Sequence, residues 1–218
     1  TALSDVVVDI DKWLSLPEFG RLTSVDVNAV TIQFDDLRAQ RSWTVDGGQM
    51  QMVRDGDALR ISSNLALLGG RDYVSTVEFN YLSQIGEVAA SFGVTVDDVV
   101  STDIATQSPA LAWLEILDAP ISGAMRVEID DEGNLGPLSA TLQIDEGVIQ
   151  PQEDFDGIPF QSARSYLTYV PETNTIQFDE LFVESPWVTA GAEGKAHLDD
   201  FQNGLPNSLI AQIRLTQM

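Results

Sequence analysis

From Asp118 to Leu198 apolar and polar side chains alternate almost without a break. Ile121, Met125, Val127 and Ile129 share one parity, and Ser122, Arg126, Glu128 and Asp130 share the other. Leu138, Ala140, Leu142 and Ile144 repeat the pattern against Ser139, Thr141, Gln143 and Asp145, and Ile176 and Phe178 carry it further. A period of two predicts β-strands with one greasy face and one wet face. Asp131-Glu132-Gly133-Asn134 and Pro171-Glu172-Thr173-Asn174 each join two alternating runs, as hairpin loops do. The pattern predicts a long antiparallel meander.

The earlier part of the chain reads in the same way. Val6, Val8 and Ile10 predict a first strand, followed by a turn through Pro17 and Gly20. From Leu22 to Phe34 a second strand changes parity, with Val25 and Val27 giving way to Val30, Ile32 and Phe34, and such a flip marks a bulge. Short strands are expected around Trp43–Val45 and Gln49–Val53, split by Gly47-Gly48. Asp55-Gly56 then signals a tight turn before Ala58–Leu68, the run that holds Ile61 and Leu65. Gly69-Gly70 turns the chain into Tyr73, Val77, Phe79 and Tyr81. Next, Leu82–Phe92 places Ile85, Val88, Ala89 and Phe92 at helical spacing, with Gly93 as a stop. An acidic link, Val94–Gln107, leads to Ser108-Pro109, an N-cap and first-turn proline for a second helix through Leu117. A last strand after Leu205-Pro206 puts Leu209, Ala211, Ile213 and Leu215 together. The organisation expected is an N-terminal β meander over 1–81, a helical connector over 82–118 and a C-terminal β meander over 119–218, together one β-groove section of a longer protein.

This makes a mainly β chain with two short α-helices. About 13 strands at ~4.8 Å each would span about 60 Å in a single sheet, more than two short helices can cover. Two solutions follow. The meander curls into a trough with an apolar lining, or it folds over into a closed β-sandwich that serves as a binding or scaffold module. In the trough, the lining candidates are Ile32, Phe34, Ile61, Leu65, Val77 and Phe79 from the first half. From the second half come Ile121, Met125, Val127, Ile129, Leu138, Leu142, Ile144, Ile176 and Phe178. In the sandwich the same residues fill the core.

Charge narrows the partners. Of 218 residues, 11 are Lys or Arg and 34 are Asp or Glu, a formal net charge of -23. That surface repels nucleic acid and anionic headgroups. With no cysteine there is no disulfide framework and no thiol chemistry. His197, the single histidine, sits on the polar parity of its strand and has no nucleophile elbow around it. Asp130, Asp131, Glu132 and Asn134 lack the spacing of a helix-loop-helix calcium site and read as a hairpin turn. The pairs Asp97-Asp98 and Asp199-Asp200 lack a sugar-stacking aromatic cluster, and Trp13, Trp43, Trp113 and Trp187 are scattered. The expectation is a non-enzymatic protein with no cofactor and no metal. No apolar run approaches the about 20 residues of a spanning helix. Opening on Thr1 without an initiator Met or a signal peptide, the chain reads as part of something longer.

One further pattern carries a resemblance. A helix is followed by Ala119-Pro120-Ile121-Ser122-Gly123, a strand ending Ile129-Asp130-Asp131-Glu132-Gly133, Leu138-Ser139-Ala140-Thr141-Leu142, and Glu146-Gly147-Val148-Ile149. Tyr169-Val170-Pro171, Leu181–Val183 and a small-residue strand through Gly191 and Gly194 come after it. Val30-Thr31-Ile32 into Asp35-Asp36, Trp43 and Arg54-Asp55-Gly56 precede it. The whole resembles the AsmA-like family of bacterial envelope proteins, especially its YhdP-like branch. The resemblance implies a periplasmic section of a long protein anchored in the inner membrane and reaching toward the outer one, whose repeated β units form a trough that moves phospholipid between the two membranes. The partners implied are phospholipid or another acyl-chain lipid and neighbouring sections of the same chain. A burial gain of ~0.8 kcal/mol per methylene would give a sixteen-carbon chain about 12 kcal/mol gross in such a lining.

Overall fold

The computed structural model describes residues 9–10, 12–14, 16–36, 41–68, 74–105, 109–150, 156–202 and 205–217. The protein is mainly β. Its strands are β1 (Ser24–Asp36), β2 (Arg41–Asp55), β3 (Ala58–Leu68), β4 (Ser75–Gln84), β5 (Ala90–Val100), β6 (Leu117–Asp118), β7 (Pro120–Ile129) and β8 (Leu138–Ile144). Then follow β9 (Gly147–Ile149), β10 (Ile158–Phe160), β11 (Ser162–Val170), β12 (Thr175–Glu184), β13 (Thr189–Gln202) and β14 (Leu205–Gln217). A short helix α1 (Ser101–Ala105) and a 3₁₀ helix (Pro109–Ile116) stand between β5 and β6. Eleven strands form one antiparallel sheet in the order β1-β2-β3-β4-β5-β7-β8-β11-β12-β13-β14, and β10-β9-β6 form a second, three-stranded one. The large sheet does not close into a barrel, because β1 and β14 are its two edges.

The chain divides into two compact units, the first comprising 1–34, 42–95 and 125–138, the second 35–41, 96–124 and 139–218. In the first unit the register sorts the side chains cleanly. Met52, Ile61 and Tyr81 stand side by side across β2, β3 and β4, as do Met50, Ser63 and Phe79, and Leu65 pairs with Val77. The other face of β3 and β4 carries Arg60, Ser62, Asn64, Glu78 and Asn80. The apolar side centres on Leu14, Leu59, Tyr81, Ala90, Phe92, Val127 and Ile129. The Phe92 ring lies 5.0 Å from Tyr81 and 6.2 Å from Phe79, at tilts that suit aromatic quadrupoles.

In the second unit the helical segment roofs the sheet. Ser101, Ile104, Ala105, Ala110, Leu111 and Leu114 are buried, and so are Ile121, Leu142, Ile144, Leu167, Ile176, Phe178 and Leu198 on the strands. Trp113 meets Phe178 edge-on, with centroids 5.8 Å apart. Ser101 anchors the segment by donating its N–H to the Ala119 carbonyl at 3.1 Å and its hydroxyl to the Leu117 carbonyl.

Several expectations hold in detail. The parity flip of the second strand falls at Ala29, whose φ is +57°. Before it the Asp26 carboxylate accepts from Gln51 on the wet face, and after it Thr31 donates to Asp46. The pairs Val25/Val27 and Val30/Ile32 therefore share the apolar face. Gly56 makes the tight turn at φ +62°, and Asn174 closes the β11–β12 hairpin in the left-handed region. Trp43–Val45 and Gln49–Val53 belong to one strand, β2, with an irregularity between Val45 and Gln49.

Others need correction. Leu82–Phe92 is not a helix: β4 runs to Gln84, the chain turns at Gly86 (φ +90°), and β5 begins at Ala90. The three- and four-residue spacing there comes from two strand ends on one face with a turn between them. The acidic link is β5 followed by α1, and the second helix is 3₁₀ in form. Ile10 and Leu14 are helical, four residues apart, and both pack on the apolar cluster. Val6, Val8, Ser108, the Gly69-Gly70 turn and Tyr73 lie outside the described residues.

Two predictions follow from the turns. A left-handed backbone costs an L-residue about 1–2 kcal/mol, and glycine recovers part of that. Ala29→Gly is expected to leave stability unchanged or raise it by up to about 1 kcal/mol in urea denaturation, and Ala29→Val to lower it by about 1 kcal/mol or more. In the β7–β8 turn, Asp130 accepts the N–H groups of Asn134 (2.8 Å) and Glu132 (3.0 Å) and the Asn134 side-chain amide. The bonds from Asn134 are the main reason its pKa lies below the ordinary 3.8. A lowered folded-state pKa gives a stabilisation that is present above the unfolded value and lost as pH falls through the folded one. Acid titration of Asp130→Ala, followed by circular dichroism, should show a smaller loss of stability below about pH 4 than the parent shows.

Candidate lipid-binding face

The apolar face is built strand by strand, because neighbours in antiparallel register point the same way. In the second unit β12 contributes bulky side chains to it: Ile176, Phe178, Leu181 and Val183, the last two brought back into phase by the irregularity between Phe178 and Leu181. Their partners on β13 are Ala196, Gly194, Ala192 and Ala190. Ala196, Gly194 and Ala192 face Ala211, Ile213 and Leu215 on β14, and Leu198 faces Leu209. A strip of small residues therefore runs along β13 between two apolar ridges. From Ala190 to Ala196 it covers about 20 Å of strand. Gly194 is needed at its centre, because a Cβ there would meet the Gln212 carbonyl at 2.2 Å and the Ile213 Cδ1 at 3.0 Å.

Exposure on this face changes from strand to strand. Ala196 and Leu198 are buried at 1% exposure, beside Ile176 and Phe178. Toward the β14 ridge the same face opens, with Leu209 at 42%, Ile213 at 47% and Leu215 at 60% exposure. The first unit shows a comparable gradient: Leu59 and Tyr81 are closed, Ile61, Leu65, Val77 and Phe79 are half-buried, and Met50, Val25, Val27 and Ile32 are exposed.

The lining candidates from the sequence thus fall into different environments. Ile121, Leu142, Ile144, Ile176 and Phe178 are closed core of the second unit, and Val127 and Ile129 are closed core of the first. Met125, Leu138, Ile61, Leu65, Val77 and Phe79 are half-buried in the first unit, and Ile32 is open. The Phe34 side chain lies outside the described residues. Sequence reasoning passed over Leu209, Ile213, Leu215 and Met50 as lining. Their alternation was visible, but their exposure follows from their places on β14 and β2.

The wet face is polar and carries a few local pairs. Arg164 pairs with Glu180 at 2.8 Å and lies 4.1 Å above the Phe182 ring, and Arg214 pairs with Glu193. His197 is exposed, 3.4 Å from Asp199. Asp97 accepts from Ser122, and Asp200 from Asn207. Tyr169 donates to Asn174 at 3.1 Å, and burial, with the Glu172 charge nearby, raises its pKa above 10.0. No group of three or more His, Asp or Glu among the described residues is placed to hold a metal ion. No described helix is long and apolar enough to cross a membrane.

The chain matches no protein-family model, no curated protein and no solved structure.

Proposed function

We propose that this chain shelters the acyl chains of phospholipid on the apolar face of its sheet, as a section of a periplasmic bridge of the AsmA-like kind that carries lipid between the inner and outer membranes. The observation that supports this most is the small-residue strip on β13, low between the β12 and β14 ridges and exposed along β14. An acyl chain laid on it would bury methylenes against Ala190, Ala192, Ile213 and Leu215 at ~0.8 kcal/mol each. The strip offers no charged group to fix one position, so a chain could slide along the strand. The acidic wet face keeps a partly apolar protein in solution. A closed scaffold module is the second reading, favoured by the burial of Ile121, Leu142, Ile144 and Ile176 beneath the helical segment.

Lipid extraction and fluorescent fatty-acid titration of the purified chain separate the two. Bound phospholipid and saturable uptake are expected. Ile213→Asp should weaken uptake about tenfold with the melting temperature little changed, because the side chain is already half in water. Ile176→Asp, at 0% exposure, should cost about 3–5 kcal/mol of stability by burying an unpaired carboxylate. A lipid-free protein that refuses fatty acid, or undiminished uptake by Ile213→Asp, would overturn the sheltering role.

A further inference from the structure

The β12–β13 hairpin ends in Ser185-Pro186-Trp187-Val188, and its tip is the most exposed large apolar feature described in the second unit. Trp187 is 72% and Val188 46% exposed. A tryptophan so placed in water is unusual unless something covers it, because the indole is among the largest apolar surfaces a side chain can bring. The backbone beneath it is arranged for a dry setting. Ser185 donates its N–H to the Val188 carbonyl at 2.9 Å, and its hydroxyl accepts the N–H groups of Trp187 at 3.3 Å and Val188 at 3.1 Å. The same hydroxyl donates to the Val188 carbonyl at 3.0 Å. Pro186 has no N–H, so every backbone donor of the four-residue tip is satisfied within the turn. That removes the donors' share of the desolvation cost of entering a water-poor layer.

Charge selects the surface. From Glu184 to Gly194 the chain has no Lys or Arg and two Glu, and the protein as a whole carries -23. Of the basic groups farther along the sheet, Arg164 and Arg214 are paired with Glu180 and Glu193, and Lys195 follows Gly194 on β13. An anionic bilayer would repel this end of the unit, and a zwitterionic one would not. We infer that the Pro186–Val188 tip is a membrane-contact point that inserts Trp187 and Val188 into the interface of a zwitterionic phospholipid surface. There the indole ring lies at headgroup depth with its N–H toward the polar side. The tip joins β13 at Thr189, one residue before Ala190 in the small-residue strip. Its role as an entry point for acyl chains rests on the sheltering function proposed above, whereas membrane contact rests on the turn alone.

Flotation of the 218-residue chain with phosphatidylcholine vesicles, with and without added phosphatidylglycerol, tests it. Wild type is expected to float with phosphatidylcholine, more weakly as the anionic lipid is added. Vesicles with brominated acyl chains should quench its tryptophan emission. Trp187→Ala should lower partitioning by about tenfold or more and abolish the quenching, with an unchanged melting temperature. Trp13→Ala, at a second exposed tryptophan, should float as wild type. Failure of wild type to float, binding only to anionic vesicles, or undiminished binding by Trp187→Ala would each overturn the inference. Trp187→Ala should still take up fatty acid from solution and Ile213→Asp should still float, so the tip and the strip fail separately.

Discussion

A sheet with one apolar face must put that face against something, and the rest of this protein is arranged around that demand. In the first unit the short helical residues Ile10 and Leu14 and the aromatic group Phe79, Tyr81 and Phe92 close part of it. In the second unit α1 and the 3₁₀ helix do so, with Leu111 and Leu114 fully buried and Trp113 set edge-on against Phe178. Neither cover extends over the full apolar face. What remains is the surface on β1, β2 and β14 where valine, isoleucine, leucine and methionine stand in water.

The open surface has a shape set by residue size. Along β13, alanine and glycine occupy each apolar-facing position from 190 to 196, while β12 and β14 carry mostly branched or aromatic side chains in register. In a closed core such a strip would be filled by a knob from a facing layer. Here Ala196 is buried while Ala190, Ala192 and Gly194 are only half-buried, so the strip is less covered toward Ala190. Exposure also rises across the sheet, since Leu198 and Leu209 are register partners on adjacent strands and only the one on β13 is buried.

Charged side chains are confined to the other face and to the turns, and the apolar face takes in only a few hydroxyls, among them Ser63 and Ser165. The carboxylates of Asp130, Glu180 and Glu193 are spent on local hydrogen bonds and ion pairs. His197 faces water beside Asp199. These groups hold hairpins and strand pairs in place, which for exposed pairs contributes modestly to stability. The binding function proposed is accordingly one of shape and desolvation, with the headgroup left to solvent.

The sequence by itself determined what is local. The period of two placed most strands, the parity change placed a bulge between Val27 and Val30, and the Asp-Gly and Pro-Glu-Thr-Asn signals placed two turns, because each depends on the backbone preferences of a few adjacent residues. It misplaced a helix at Leu82–Phe92, where two strand ends mimic helical spacing across the turn at Gly86. Only the tertiary structure decided which oily residues are covered. Ile176 and Ile213 read alike along the chain and differ in exposure, one lying on an interior strand and the other on the edge strand of the sheet. Burial is a property of neighbours far apart in sequence, and no local pattern records it.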